Sequence, residues 1–171
     1  DLKDKKWEHL LFSYHGIPER HIRKSDITKA HCKIDKNCCQ TTSKAHRYCY
    51  RHQCYETTRQ VAEYLELKEG TYSTSFQSRL GVDPWLQPYT DQTIARFAKK
   101  GVKNMAIVTP AFVSDCLETL EEIGMEAAED FEEKGGEELH VIPCINTRAD
   151  WVNVMSRWID QWAKAETVTS A

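Results

Sequence analysis

A chain of 171 residues, 40% hydrophobic and 29% charged, is long enough to bury a core and has the make-up of one globular domain. Its net charge of −3 argues against a general nucleic-acid binder, and no apolar run approaches the ~18 residues that span a bilayer. With no signal peptide at its start, a cytoplasmic protein is expected, peripheral membrane contact remaining open. The chain begins at Asp1 and enters a strand-like run almost at once, which suggests a piece of a longer protein.

Residues 9–14 (HLLFSY) form a short apolar run broken by Gly16 and Pro18, which predicts a buried strand. An irregular stretch is expected to about Thr42. Tyr50, Cys54, Thr58, Val61 and Leu65 then recur at helical spacing until Gly70. Residues 71–76 read as a strand. Residues 81–88 (GVDPWLQP) exclude regular structure, because the two prolines lack amide donors and restrict their neighbours. Residues 90–100 form a helix ended by Gly101, and residues 105–109 (MAIVT) a strand closed by Pro110. Ser114 can cap a helix running to about Glu133, before Gly135 and Gly136. Residues 139–142 give a fourth strand, and the last helix carries Trp151, Val154, Met155, Trp158, Ile159 and Trp162 on one stripe.

Strands alternating with helices predict an α/β fold: a doubly wound, four-stranded parallel sheet with flanking helices. Ligands of such sheets bind beyond the carboxyl ends of the strands. The residue after the first strand, His15, the 81–88 loop and residues 110–115 all fall at that edge.

His15 stands where a strand gives way to a Gly–Pro turn, so it is either a base presented by a rigid scaffold or an ordinary loop histidine. Asp115, Glu118 and Glu122 are three and four residues apart and would share one helical face. That face is either solvated, with the helix dipole favouring its acids, or a line of oxygen ligands for a hard divalent cation. Trp85, between Pro84 and Pro88, either lines a pocket for a flat apolar ligand or plugs its loop onto the core.

Seven cysteines, five of them between Cys32 and Cys54, are odd in number and do not read as a secreted disulfide framework. The pattern Cys32-x5-Cys38-Cys39-x9-Cys49-x4-Cys54 matches neither a zinc finger nor a ferredoxin motif. Nine Lys and Arg between Glu19 and Arg51 would favour thiolates, and metal ligation or free thiols both fit. A segment with so little core needs a cross-link to be ordered, which favours metal.

Taken together, residues 12–20 (FSYHGIPER), 75–91 (SFQSRLGVDPWLQPYTD) and 110–123 (PAFVSDCLETLEEI) resemble the C-terminal half of ferrochelatase. The resemblance implies insertion of ferrous iron into protoporphyrin IX to form protohaem. His15 matches the active-site histidine and Glu118 the essential acid of the family's S-D-x-x-E-T-L motif. Asp115 and Glu122 match acids of a proton or iron path; Trp85, Phe112 and Tyr14 are assigned to the porphyrin pocket. Cys116 departs from members that carry histidine there. The resemblance further implies a C-terminal chelatase domain over residues 1–171, with an N-terminal domain absent and the chain alone inactive. Residues 27–49 look like the cysteine-rich insertion by which some bacterial members hold a [2Fe–2S] cluster. Cys32, Cys38, Cys39 and Cys49 are the ligands so implied, with Cys54 in reserve and zinc the alternative occupant.

Overall fold

The computed structural model describes residues 2–35 and 37–169. Four strands, β1 (His9–His15), β2 (Tyr72–Gln77), β3 (Asn104–Val108) and β4 (Glu138–Val141), form one parallel sheet in the order β2–β1–β3–β4. The expected α/β sheet is therefore present. After β1 the chain steps outward to β2, then crosses back over β1 to reach β3. The carboxyl ends of β1 and β3 consequently feed loops that diverge, and a crevice opens between them.

Strand alternation assigns the two faces. Leu10, Phe12 and Tyr14 of β1 pack on one side with Ile22 of α1 (Glu19–Ser25) and Cys54 of α2 (Tyr50–Tyr64). Leu11 packs on the other with Ile94 and Ala98 of α3 (Thr90–Lys99) and Phe131 of α4 (Ala127–Glu133). The final helix, α5 (Ala149–Thr169), half-buries Trp151, Val154 and Met155 but leaves Trp158, Ile159 and Trp162 exposed. Among the described residues, no helix is long and apolar enough to cross a membrane.

Two elements differ from expectation. Helix α1 lies in the stretch expected to be irregular. Pro18 fixes φ at −57° before it, Glu19 favours its first turn, and Arg23 and Lys24 favour its last. Seven residues with one buried side chain, Ile22, are too short to show periodicity. The helix expected from Ser114 instead begins at Glu118 and runs to Glu126 as a π-helix, continuing into α4. Gln77 at the end of β2 donates Nε2–H to the Glu118 carbonyl at 2.9 Å, competing for an acceptor of the α-helical ladder.

Candidate functional site

His15 is the last residue of β1, half-buried at the crevice between β1 and β3. Gly16 makes that position workable: a Cβ on it would lie 2.9 Å from the Gln77 carbonyl and 3.3 Å from the Trp85 ring. The His15 Nδ1 lies 2.6 Å from the Gly16 carbonyl. A carbonyl only accepts, so the neutral ring carries its proton on Nδ1 and leaves the Nε2 lone pair free. Tyr50, the first residue of α2, donates its hydroxyl to the His15 carbonyl at 2.8 Å and fixes the backbone from behind.

The Trp85 loop is stapled to the same turn. Trp85 pairs with Pro18 as an antiparallel bridge, the Leu86 amide donates to the Ile17 carbonyl, and the Glu19 amide donates to the Pro84 carbonyl. The Trp85 and Phe112 rings stand 6.4 Å and 6.1 Å from His15, so two aromatic rings flank the imidazole. The Trp85 indole N–H is buried with no acceptor among the described residues; packing holds this ring.

Tyr14 does not join them. Its side chain is only 3% exposed and points to the opposite face, where its hydroxyl meets Thr58 at 3.0 Å. Burial pushes its pKa up to about 12. It is a core residue, and the expectation that it lines a pocket is corrected by strand alternation.

The three acids separate. Glu118 is half-buried, and the Cys116 thiol and its own backbone amide hold its carboxyl below the usual range against the opposing effect of burial. Glu122 is gripped by the end of β2: it accepts from the Ser78 amide and the Ser78 hydroxyl at 2.6 Å each, and from Gln77 at 3.2 Å. Asp115 lies before the π-helix and not on its face. Its carboxylate accepts from Asn146 at 2.6 Å and from Thr119 at 3.3 Å, and Asn146, with Cys144, keeps its carboxyl acidic. The expected single face of three acids is thus broken by the late start of the helix. In its place Glu122 and Glu126 line a 310 Å³ cleft beside Ser78 and Arg79.

The sequence did not reveal the network beneath. The Ser13 hydroxyl donates to Gln77 Oε1 at 2.8 Å and shares a bond with Thr90, which also meets Ser75. These side chains are buried, and they orient the Gln77 amide that holds both Glu118 and Glu122. The alternation of Ser73 and Ser75 on β2, with Ser13 of β1 paired to Ser75, was the visible sign.

The cysteine segment is organised by Asp26. Its carboxylate accepts from the amides of Thr28, His31 and Cys32 at 2.8–2.9 Å. All seven cysteines are free thiols. Cys32, Cys38, Cys39 and Cys49 lie in one electrostatic neighbourhood, and the Cys39 thiol bonds to Cys49, favouring the thiolate there. Cys54 stands apart on α2, buried beside Tyr50, its thiol pushed up to about 12. Among the described residues no three His, Cys, Asp or Glu converge closely enough to hold a metal ion.

Comparison with known proteins places this site in a family context. The ferrochelatase family model matches residues 1–163. The ferrochelatase of Opitutus terrae is 46% identical over 158 residues, 92% of this chain and 46% of the relative. That of Stutzerimonas stutzeri is 49% identical over 150 residues, 87% and 44%. The Legionella pneumophila protein of the same name is 46% identical over 156 residues, 90% and 45%. The chain spans about half the length of the curated relatives it matches.

Proposed function

The chain belongs to the ferrochelatase family, and on that premise we propose that it supplies one wall of a site where ferrous iron enters protoporphyrin IX to give protohaem. The observation that carries this reading is His15: its Nδ1 is committed to the Gly16 carbonyl, so Nε2 is the nitrogen left to accept a proton. Free porphyrin carries pyrrole N–H protons that must leave as the metal enters, and Nε2 is the acceptor for them. Glu118, held as a carboxylate beside it, takes a proton onward or meets the incoming cation. Glu122 and Asp115 stand behind Glu118 as further acids of that path, each already engaged by the scaffold. The Trp85 and Phe112 rings would hold a flat macrocycle against the imidazole, and a rigid wall favours a bent ring whose nitrogen lone pairs point toward the metal.

The opposite wall belongs to the length that the relatives have and this chain lacks, an N-terminal chelatase domain in this reading. His15→Ala in the full-length protein should abolish chelation and leave the fold intact by circular dichroism. Near-normal turnover would overturn the assignment. Measurable haem synthesis by this chain alone would refute the half-site.

The resemblance also implies a [2Fe–2S] cluster, but the described residues do not fit one as they stand: no three metal donors converge in the cysteine segment. By that resemblance Cys32, Cys38, Cys39 and Cys49 would hold it, with Cys54 on α2 in reserve. When bound, the cluster would cross-link the segment and supply a one-electron centre. Iron and sulfide analysis with visible absorption tests this; a colourless protein with stoichiometric zinc would overturn it. A cytoplasmic location, where thiols stay reduced, accords with this reading.

A further inference from the structure

We propose that Gln77 is the positioning residue of this site: hydrogen bonds from its backbone and its side chain hold the turn of His15 and the helix of Glu118 at one fixed spacing. The proposal rests on the chelatase reading above.

Gln77 closes β2 as His15 closes β1, and the two are register partners across the parallel pair. The Gln77 carbonyl accepts the Gly16 amide at 2.8 Å, so the turn that presents His15 hangs from it. Gln77 is 3% exposed, and its side chain reaches the π-helix. There Nε2 donates to the Glu118 carbonyl at 2.9 Å and to the Glu122 carboxylate at 3.2 Å. One residue thus grips the mounts of both groups to which the reaction is assigned.

The orientation of its amide follows from its partners. A carbonyl and a carboxylate only accept, so the nitrogen must face the π-helix and Oε1 must face Ser13. The Ser13 hydroxyl gives its one proton to Oε1, so Thr90 must donate to Ser13, and Ser75 to Thr90. These buried hydroxyls therefore point their protons one way, toward Gln77, and a satisfied buried network of this kind is stiff. Asparagine would fall a methylene short, glutamate would lack both N–H donors, and methionine would lack every bond of the side chain. Without Nε2 the Glu118 carbonyl is free for the α-helical ladder, and the turn that carries the acid shifts. A proton acceptor and its neighbouring acid tolerate little such movement: a displacement of ~1 Å can cost about 100-fold in rate.

The test uses the full-length protein in wild-type, Gln77→Met and Gln77→Glu forms, both substitutions being close to glutamine in size. Haem formation from porphyrin and ferrous iron is measured per folded molecule from about pH 8 to about pH 6, with unfolding midpoints alongside. Gln77→Met should lower kcat by about 100-fold at every pH and leave both KM values within about twofold. Gln77→Glu should lose as much at the alkaline end, where its carboxylate opposes the Glu118 carbonyl and the Glu122 carboxylate. Relative to wild type its activity should rise toward the acid end. Burial and the Glu122 charge raise the pKa of the new carboxyl, which once protonated supplies an O–H donor. Of the groups bonded to the Gln77 side chain, Glu122 alone titrates; the others are a carbonyl and a hydroxyl. A merely structural glutamine predicts lower unfolding midpoints, kcat within about twofold and a ratio to wild type that ignores pH, and that result overturns the proposal. If Gln77→Glu does not fold, Gln77→Met decides alone: a kcat loss at constant KM supports the proposal, and an unchanged kcat overturns it. If His15→Ala keeps near-normal turnover, the chelatase reading falls instead, whatever the Gln77 variants do.

Discussion

Ser78 and Glu122 are locked together at the mouth of the site: both the amide and the hydroxyl of Ser78 donate to the Glu122 carboxylate, each at 2.6 Å. Ser78 holds φ at +64°, a left-handed conformation that an L side chain adopts at a cost. The acid of the π-helix thus holds a strained residue at the end of β2 in place. Ser78→Ala should lower unfolding stability by ~1–2 kcal/mol, because a hydroxyl bond to a charged acceptor is lost. Ser78→Gly loses the same bond but relieves the backbone, and should cost less. Denaturant unfolding of both variants checks the order; a larger loss for glycine would contradict it.

Gly16→Ala should be more damaging than its size suggests. The new methyl would press on the Gln77 carbonyl, a backbone atom with no freedom to swing away. A loss of ~1–3 kcal/mol is expected, as for other over-packed sites, with the His15 turn displaced. Thermal unfolding at wild-type values would show that the turn gives more easily than its packing implies.

Stability should fall as the solution is acidified below neutrality, and His9 is one named cause. Its ring is 4% exposed, bonded to Ser73 at 2.7 Å and packed on Phe97, and burial pushes its pKa down to about 4 from 6.5. The unfolded chain therefore binds a proton at higher pH than the folded one does. That difference removes stability progressively from about pH 6.5 to 4, reaching ~3 kcal/mol, and restores it as the pH rises. His9→Gln should flatten this part of the stability–pH curve; an unchanged slope would exonerate His9.

Asp26→Asn should loosen the cysteine segment without touching the sheet. The carboxylate gathers the amides of Thr28, His31 and Cys32, and these bonds hold it well below the usual carboxylate range. With a neutral acceptor, the His31 and Cys32 amides should exchange with solvent roughly tenfold faster, while the amides of β1 and β3 keep their protection. Exchange at wild-type rates would mean that the segment is held by other contacts.

The parts of the fold visible in the sequence are those where local pattern and tertiary role coincide. Apolar β1 and β3, closed by Gly16 and Pro110, could be read directly, as could the position of His15 at a strand end. β2 is an edge strand with a polar composition, yet Ser75 and Gln77 are buried because hydroxyls and amides from three elements satisfy one another. No one-dimensional pattern encodes such a network. Spacing gave Asp115 the wrong neighbours, because Asn146, 31 residues away, captures its carboxylate ahead of the helix. The π-helix was hidden for a related reason: its widened turn answers to Gln77, which belongs to another strand. Arg51 read as one more basic residue in a charged stretch until its burial beside two sulfurs was visible.

Helix α5 gives the chain a built-in optical reporter. Three of its five tryptophans, Trp151, Trp158 and Trp162, lie on that helix, with the first two edge-on at 5.8 Å. Trp158 and Trp162 are 45% and 67% exposed, so they emit from a largely aqueous setting. Anything that covers this face shifts the emission to shorter wavelength and shields it from aqueous quenchers, while the Trp85 ring, fixed beside His15, contributes a steady background. Association at this helix can thus be followed by its own emission, without a label.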